Sequence, residues 1–239
     1  MARKEELFSF PNLNVEFKTG PITSADVDVI VNSANGTMVH GSGTAADISK
    51  ASGELMTEEL KEYASIVEQM PGIAGAVYRE VWKFAQKGKY HQPTKLQLEC
   101  AKFFSTNMGV PLGEGEIVLT SSGDLVARGV KWIIHAIGMT YDYKAKERDE
   151  KGRPPIIPAK PEKIKEAVLR SLNLIRDKKL GTSVAIPIMS VRKGGVTPEE
   201  SLQAIKEGIE EHLAEQSCLE KVIIIGDNPE SARFLREIK

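Results

Sequence analysis

The run Val29-Ile30-Val31-Asn32-Ser33-Ala34-Asn35 and the turn Gly41-Ser42-Gly43-Thr44 behind it collect residue types that bind anionic ligands. Asn32 and Asn35 each offer a carboxamide donor and acceptor, although asparagine is disfavoured in strands. Gly41 and Gly43 let backbone N–H groups approach a ligand closely, and a helix beginning at Thr44 would add its dipole. A second turn, Ser190-Val191-Arg192-Lys193-Gly194-Gly195, repeats the arrangement after another apolar run, with Arg192 and Lys193 able to pair with phosphate. Two such turns at different strand ends point to a pyrophosphate cleft. The structural alternatives are an Asx-bonded turn for the asparagines and a tight surface turn with solvated basic side chains for 190–195.

For acid–base chemistry the candidates are His40, beside the first glycine turn, and Asp47, on the helix that follows. His135 lies in the apolar stretch Trp132 to Ile137 and reads as a core histidine, while His91 and His212 read as surface residues. Cys100 and Cys218 read as buried thiols within helical segments, which suits a reducing cytoplasm. No two histidines or cysteines have metal-ligand spacing, so the sequence implies no metal, and it implies no cofactor. Neither a Gly-x-Ser-x-Gly elbow nor a Gly-Lys-Ser/Thr phosphate loop occurs. Gly41-x-Gly43-x-x-Ala46 matches a dinucleotide fingerprint, but the following strand that a dehydrogenase needs is replaced by helical spacing at 55–69.

These residues require a scaffold of alternating strands and helices, which the hydrophobic pattern supplies. Strands are expected over 13–18, Val27 to Asn32, Glu116 to Thr120, Lys131 to Ala136, Ser183 to Pro187 and Lys221 to Ile225. Helical spacing covers Thr44 to Gln69 in two pieces split by Ser52-Gly53, then 74–87, 95–107, Glu162 to Lys178 and Pro229 to Ile238. Thr197-Pro198-Glu199-Glu200 is a capping box with proline at the first helical position, opening a helix to about Glu215. Tyr141 to Pro161 is a polar, proline-rich loop, long enough to act as a lid; a solvated charged loop is the structural alternative.

With 239 residues and 41% hydrophobic content, the chain can bury a sizeable core. Its 32 Lys+Arg against 33 Asp+Glu create no global field for nucleic acid or anionic membrane. No apolar run approaches the roughly 20 residues of a membrane helix. The charged segment Met1 to Glu6 lacks the apolar core of a signal peptide, so a cytoplasmic location is expected.

In combination these features resemble the macro domain family, whose members bind ADP-ribose and related nucleotides. The resemblance is carried by Thr19-Gly20-Pro21-Ile22-Thr23, Val27 to Asn35, Gly41-Ser42-Gly43, Ala51-Ser52-Gly53, Gly115-Glu116, Ile133 to Gly138 and Val184 to Pro187. It covers 13–55 and 95–238, leaving about 56–94 as a helical insertion and 141–161 as a lengthened loop. It implies an α/β fold with a three-layer α/β/α arrangement, a central mixed sheet, and a single domain over 1–239. It also implies that Asn35 contacts the distal ribose. Gly41, Ser42, Gly43, Thr44 and Ser190, Val191, Arg192, Lys193, Gly194 and Gly195 would hold the diphosphate, with Ile22, Asn32 and Asp227 completing the contact set. Hydrolysis of an ADP-ribosyl ester or terminal phosphate would draw on Asn35, His40 and Asp47. The alternative is a non-catalytic module for RNA or poly(ADP-ribose), which the balanced charge does not favour.

The chain departs from the family pattern at four places. Pro21 stands where an acidic residue usually reads the adenine amino group, and Asp227 where an aromatic often stacks on adenine. Gly194 replaces an aromatic before the last glycine, and Ser42 replaces a glycine of the first turn. An aromatic stack contributes about 1 kcal/mol and a hydrogen bond to a charged group about 1.5–3 kcal/mol, so adenine affinity should fall accordingly.

Overall fold

The computed structural model describes residues 8–149 and 153–238. Its centre is the strand the apolar run predicts, β2 (Val29–Asn35), which follows β1 (Asn14–Thr19). Val29, Ile30 and Val31 have no exposed surface. Their alternation sends Val29 and Val31 to one face of the sheet and Ile30 to the other. The remaining strands are β3 (Ile117–Ser121), β4 (Trp132–Tyr141), β5 (Ile156–Ile157), β6 (Ser183–Pro187) and β7 (Lys221–Gly226). They form one mixed 7-stranded sheet in the order β1-β7-β6-β2-β4-β3, with β5 pairing β4. Strands β1, β7, β6, β2 and β4 run parallel, whereas β3 and β5 lie antiparallel to β4.

Helices cover both faces. On one side lie α5 (Pro161–Lys178), α6 (Pro198–Leu213) and α7 (Pro229–Glu237), packing Ile164, Val168, Leu172, Ile205 and Leu235 against Val31, Ile134, Ile186 and Ile224. On the other, α1 (Gly43–Ala51) places Ile48 against Ile30, Ile133 and Ile223. The segment 56–94, expected to be helical, forms α2 (Thr57–Gln69) and α3 (Gly72–Gln86), which pack with α4 (Lys95–Thr106) around Tyr63, Val67, Tyr78, Cys100 and Phe104. The Thr197 box forms as read: Glu200 N–H donates to the threonine hydroxyl at 3.2 Å and Thr197 N–H to the glutamate at 2.9 Å.

Several boundaries differ from the sequence expectation. β2 runs on through Asn35 because β4 continues beside it, with a register shift between Ala34 and Asn35. β4 extends to Tyr141 because Thr140 and Tyr141 pair with Ile157 and Ile156 of the long loop. Cys218 lies outside any helix, with its thiol 3.7 Å from Gly181 O. His212 is buried rather than at the surface, bonding Asn173 at 2.7 Å and Ser217 at 2.9 Å. No helix among the described residues is long and apolar enough to cross a membrane.

The start of β2 is stapled by Asp28. Its carboxylate accepts from Lys131 Nζ at 2.7 Å, Thr182 N at 3.0 Å, and Ser183 N and Oγ at 3.2 and 2.8 Å, tying β2 to the starts of β4 and β6. Burial pushes this carboxyl upward, but the bonds from Lys131, Ser183 and Thr182 outweigh it and hold the group below the ordinary aspartate value. Its stabilisation is therefore present above the unfolded pKa and lost as pH falls through the folded one. Asp28→Asn should cost about 1.5–3 kcal/mol in denaturant unfolding at pH 7. The difference from the parent should shrink as the pH falls below the normal aspartate range.

Candidate functional site

All the parallel strands present their carboxyl ends at the same edge of the sheet, where ligands bind in open α/β folds. The loops emerging there are the ones singled out above. Behind β2, Asn35 shapes its own loop: Nδ2 donates to Val39 O at 3.2 Å, while Oδ1 accepts from Thr37 N and Oγ1, both at 3.0 Å. That is the Asx-type arrangement, and it occupies both ends of the carboxamide. Gly43 adopts a left-handed φ of 63° and begins α1, with open space where a side chain would project. Ser42 occupies the cap position without a side-chain cap bond, so the first-turn N–H groups of α1 are left to other partners.

The second turn follows β6. Ser190 is left-handed (φ 61°), Val191 is buried, and Arg192 and Lys193 are exposed. Gly194 is packed so closely on Ser190 that a Cβ would collide with the Ser190 backbone oxygen, which explains why no aromatic stands there. Its carbonyl accepts from Ala159 N at 2.9 Å, fastening the turn to the end of the long loop. Gly195 has φ 77° and, like Gly43, borders open space.

The two turns meet. Lys193 Nζ donates to Ser42 Oγ at 3.0 Å across a separation of 151 residues. Beside this contact the Thr44 hydroxyl donates to Asp227, joining the first turn of α1 to the end of β7. Burial raises the Asp227 carboxyl above its ordinary value; the bonds from Thr44 and Asn228 ease this in part, and the nearby Asp47 charge adds to the rise. Asp47 itself is exposed on α1. Arg192, Lys193, Ser42, Thr44, Asp47 and Asp227 thus belong to one neighbourhood, between the glycine turns.

Three expected site residues lie elsewhere. Ile22 is buried in the core beneath the sheet with Ile30 and Ile48. Asn32 has no exposed surface and turns its Nδ2 to His135 Nδ1 at 3.1 Å, because it sits inside the strand rather than at its end. His40 follows the loop inward: its ring stacks on that of His135 at 5.0 Å and 9°, and burial, with the His91 charge adding, depresses its pKa to about 3. The His40 ring is thus packed against His135 in the interior rather than open to the cleft.

Two features had no signal in local spacing. Tyr90, at the end of the insertion, lies where a Cβ on Gly41 would come within 2.9 Å of its hydroxyl, and His91 Nε2 reaches His40 O at 3.2 Å. The insertion therefore backs the first glycine turn. Also, His40, Cys100 and His135 converge into one buried group from three separate elements. A surface cavity of about 540 Å³ lined by Ser9, Phe10, Lys206 and Leu213 includes none of the candidate residues.

The macro domain family model matches residues 89–205. An uncharacterized protein of Aquifex aeolicus is 29% identical over 89% of this chain and 90% of its own length. One of Thermococcus kodakarensis is 28% identical over 88% and 92%. In structure, a variant of the Oceanobacillus iheyensis macrodomain with ADPR superposes with a TM-score of 0.59 at 19% identity, covering 96% of this chain and 93% of that one. The Trypanosoma brucei macrodomain in complex with ADP-ribose gives 0.54 at 17% identity, over 93% and 68%. These structural likenesses establish the fold.

Because its folded pKa is raised, Asp227 stabilises the protein least once it is ionised. Its contribution is present below the unfolded aspartate pKa and fades as pH rises through the folded one. Asp227→Asn keeps an acceptor for Thr44 and removes the charge. Thermal unfolding at pH 7 should show this variant at least as stable as the parent, whereas a loss of stability there would contradict the assignment.

Proposed function

We propose that this chain, whose residues 89–205 match the macro domain family model and whose fold is that of macrodomains, binds ADP-ribose or a related nucleotide diphosphate sugar. The carrying observation is the Lys193–Ser42 contact, which brings two glycine turns with open approaches at Gly43 and Gly195 against each other. A diphosphate entering there would meet the first-turn N–H groups of α1 from one side and the backbone of 194–195 from the other. Lys193 would exchange the Ser42 hydroxyl for a phosphate oxygen, a charge-assisted bond in place of a neutral acceptor. Asp227 and Thr44 stand at the end of β7, where a carboxylate can accept from a base amino group or a ribose hydroxyl. Asn35 supports the reading indirectly, by holding the loop that carries Gly41 to Gly43.

Calorimetry with ADP-ribose on the folded protein tests this, the expected result being saturable heat. Lys193→Ala should weaken binding by about 10- to 100-fold, the equivalent of about 1.5–3 kcal/mol. Gly195→Val, with its strained backbone and a side chain in the approach, should abolish it. No heat at millimolar ligand would sink the assignment.

Hydrolysis of an ADP-ribosyl ester or terminal phosphate is a second reading, and Asp47 carries it: an exposed carboxylate on α1, near enough to Asp227 to raise its pKa. In that scheme Asp47 orients or deprotonates water and Asn35 positions the loop. Asp47→Ala should then keep ADP-ribose binding and lose turnover; unchanged turnover would leave binding as the function. The RNA alternative draws no support from a formal net charge of −1.

A further inference from the structure

Behind the first glycine turn, three side chains of metal-ligating chemistry meet in the protein interior. His40 comes from the loop after β2, Cys100 from the middle of α4, and His135 from the centre of β4, and none exposes more than 1% of its surface. Cys100 Sγ lies 3.6 Å from His40 Nε2 and 3.8 Å from His135 Nε2, and one ligand atom from each residue falls within 4.8 Å of the others. Metal bonds of about 2.3 Å to sulfur and about 2.0–2.1 Å to imidazole nitrogen put such ligand atoms about 3.6–3.8 Å apart in tetrahedral or trigonal geometry. The two observed Sγ–Nε2 spacings match sides of that triangle, and rotation of one of the two stacked rings would aim both nitrogens at a single ion.

The polar accounting around the triangle points the same way. Buried polar atoms almost always have a hydrogen-bond partner. Here Asn32 Oδ1 and His40 Nδ1 are buried without one, as are the hydroxyls of Tyr78 and Tyr90 on the insertion side. With Asn32 Nδ2 directed at His135 Nδ1, the His135 proton sits on Nε2, which lies 3.1 Å from Thr120 Oγ1. Turning the carboxamide over places Oδ1 on an Nδ1 proton and frees the Nε2 lone pair, the usual outer-shell support of a metal-bound histidine.

We propose that His40, Cys100 and His135 form a buried site for one soft, thiophilic metal cation. Burial already keeps both imidazoles in the neutral, ligating form and the thiol protonated. Binding forms one metal–sulfur and two metal–nitrogen bonds, breaks the Cys100 S–H bond, and releases that proton to solvent. Charge decides between ions. A thiolate with a monovalent cation is neutral, whereas a divalent cation leaves one positive charge away from water, where the Thr120 hydroxyl lies 3.1 Å from His135 Nε2. Cu(I) is therefore preferred over Zn(II). Because His40 adjoins Gly41, the bound ion would also anchor the root of the first glycine turn.

The test uses the full chain, stripped with chelator under reducing conditions and loaded separately with Cu(I) and Zn(II) without nucleotide, so that its outcome is independent of ADP-ribose binding. After gel filtration, elemental analysis should find one equivalent of metal on the parent protein, with Cu(I) surviving competition that removes Zn(II). Metal should raise the melting temperature of the parent and leave that of Cys100→Ser unchanged. Co(II) should give a sulfur-to-metal charge-transfer band that Cys100→Ser lacks, circular dichroism confirming that the variant folds. Parent protein that retains neither ion overturns the proposal whatever the variants do. Equal metal retention by parent and Cys100→Ser also overturns it, because the ion then sits elsewhere.

Discussion

The constraint on which the rest depends is the burial of β2 on both faces with a hydrogen-bonded strand on each side. A strand enclosed in this way cannot slip, since a shift of one residue would exchange the side chains packed on its two faces. Its start is held by the Asp28 carboxylate, shared with β4 and β6, and its finish by the Asn35 carboxamide, spent on its own loop. Between these two fixed points the backbone delivers Gly41 to Gly43 to the same edge of the sheet as the turn after β6. The glycine turns need not recognise each other; the parallel ladders place them side by side.

That division of labour explains what the asparagines do. Asn32 sits in mid-strand and turns into the protein, where it orients His135. Asn35 sits at the exit and turns into the loop. Both carboxamides are turned into the protein, and the groups left at the opening are backbone amides, Lys193, Arg192 and the Thr44–Asp227 pair. An aromatic at position 194 is excluded because the Ser190 backbone fills the space a Cβ would need, and a larger side chain there would break the turn.

The insertion has a structural role in the same neighbourhood. Helices α2 and α3 bury Tyr63, Tyr78 and Met70 against α4, and the loop leading into α4 sets Tyr90 and His91 behind Gly41 and His40. The glycine turn is consequently backed by a polar interior containing Cys100, His40 and His135 instead of plain hydrocarbon. Polar groups in such a place cost stability unless they find partners, and His135 finds them in Asn32 and Thr120.

Much of this was legible in the linear sequence because it depends on local patterns. Strand and helix order, the capping box at Thr197 and the two glycine turns all follow from hydrophobic period and turn chemistry among near neighbours. Strand ends were less legible: β2 and β4 extend beyond their apolar runs because each lengthens the ladder of the other, which is a pairing energy between distant segments. The direction in which a side chain points was not legible at all. Asn32, His40 and Ile22 carry suitable chemistry at suitable positions, yet the strand pleat and the loop path turn them inward. Likewise residues 40, 100 and 135 share no spacing rule, and only packing α4 across the sheet brings their nitrogens and sulfur together.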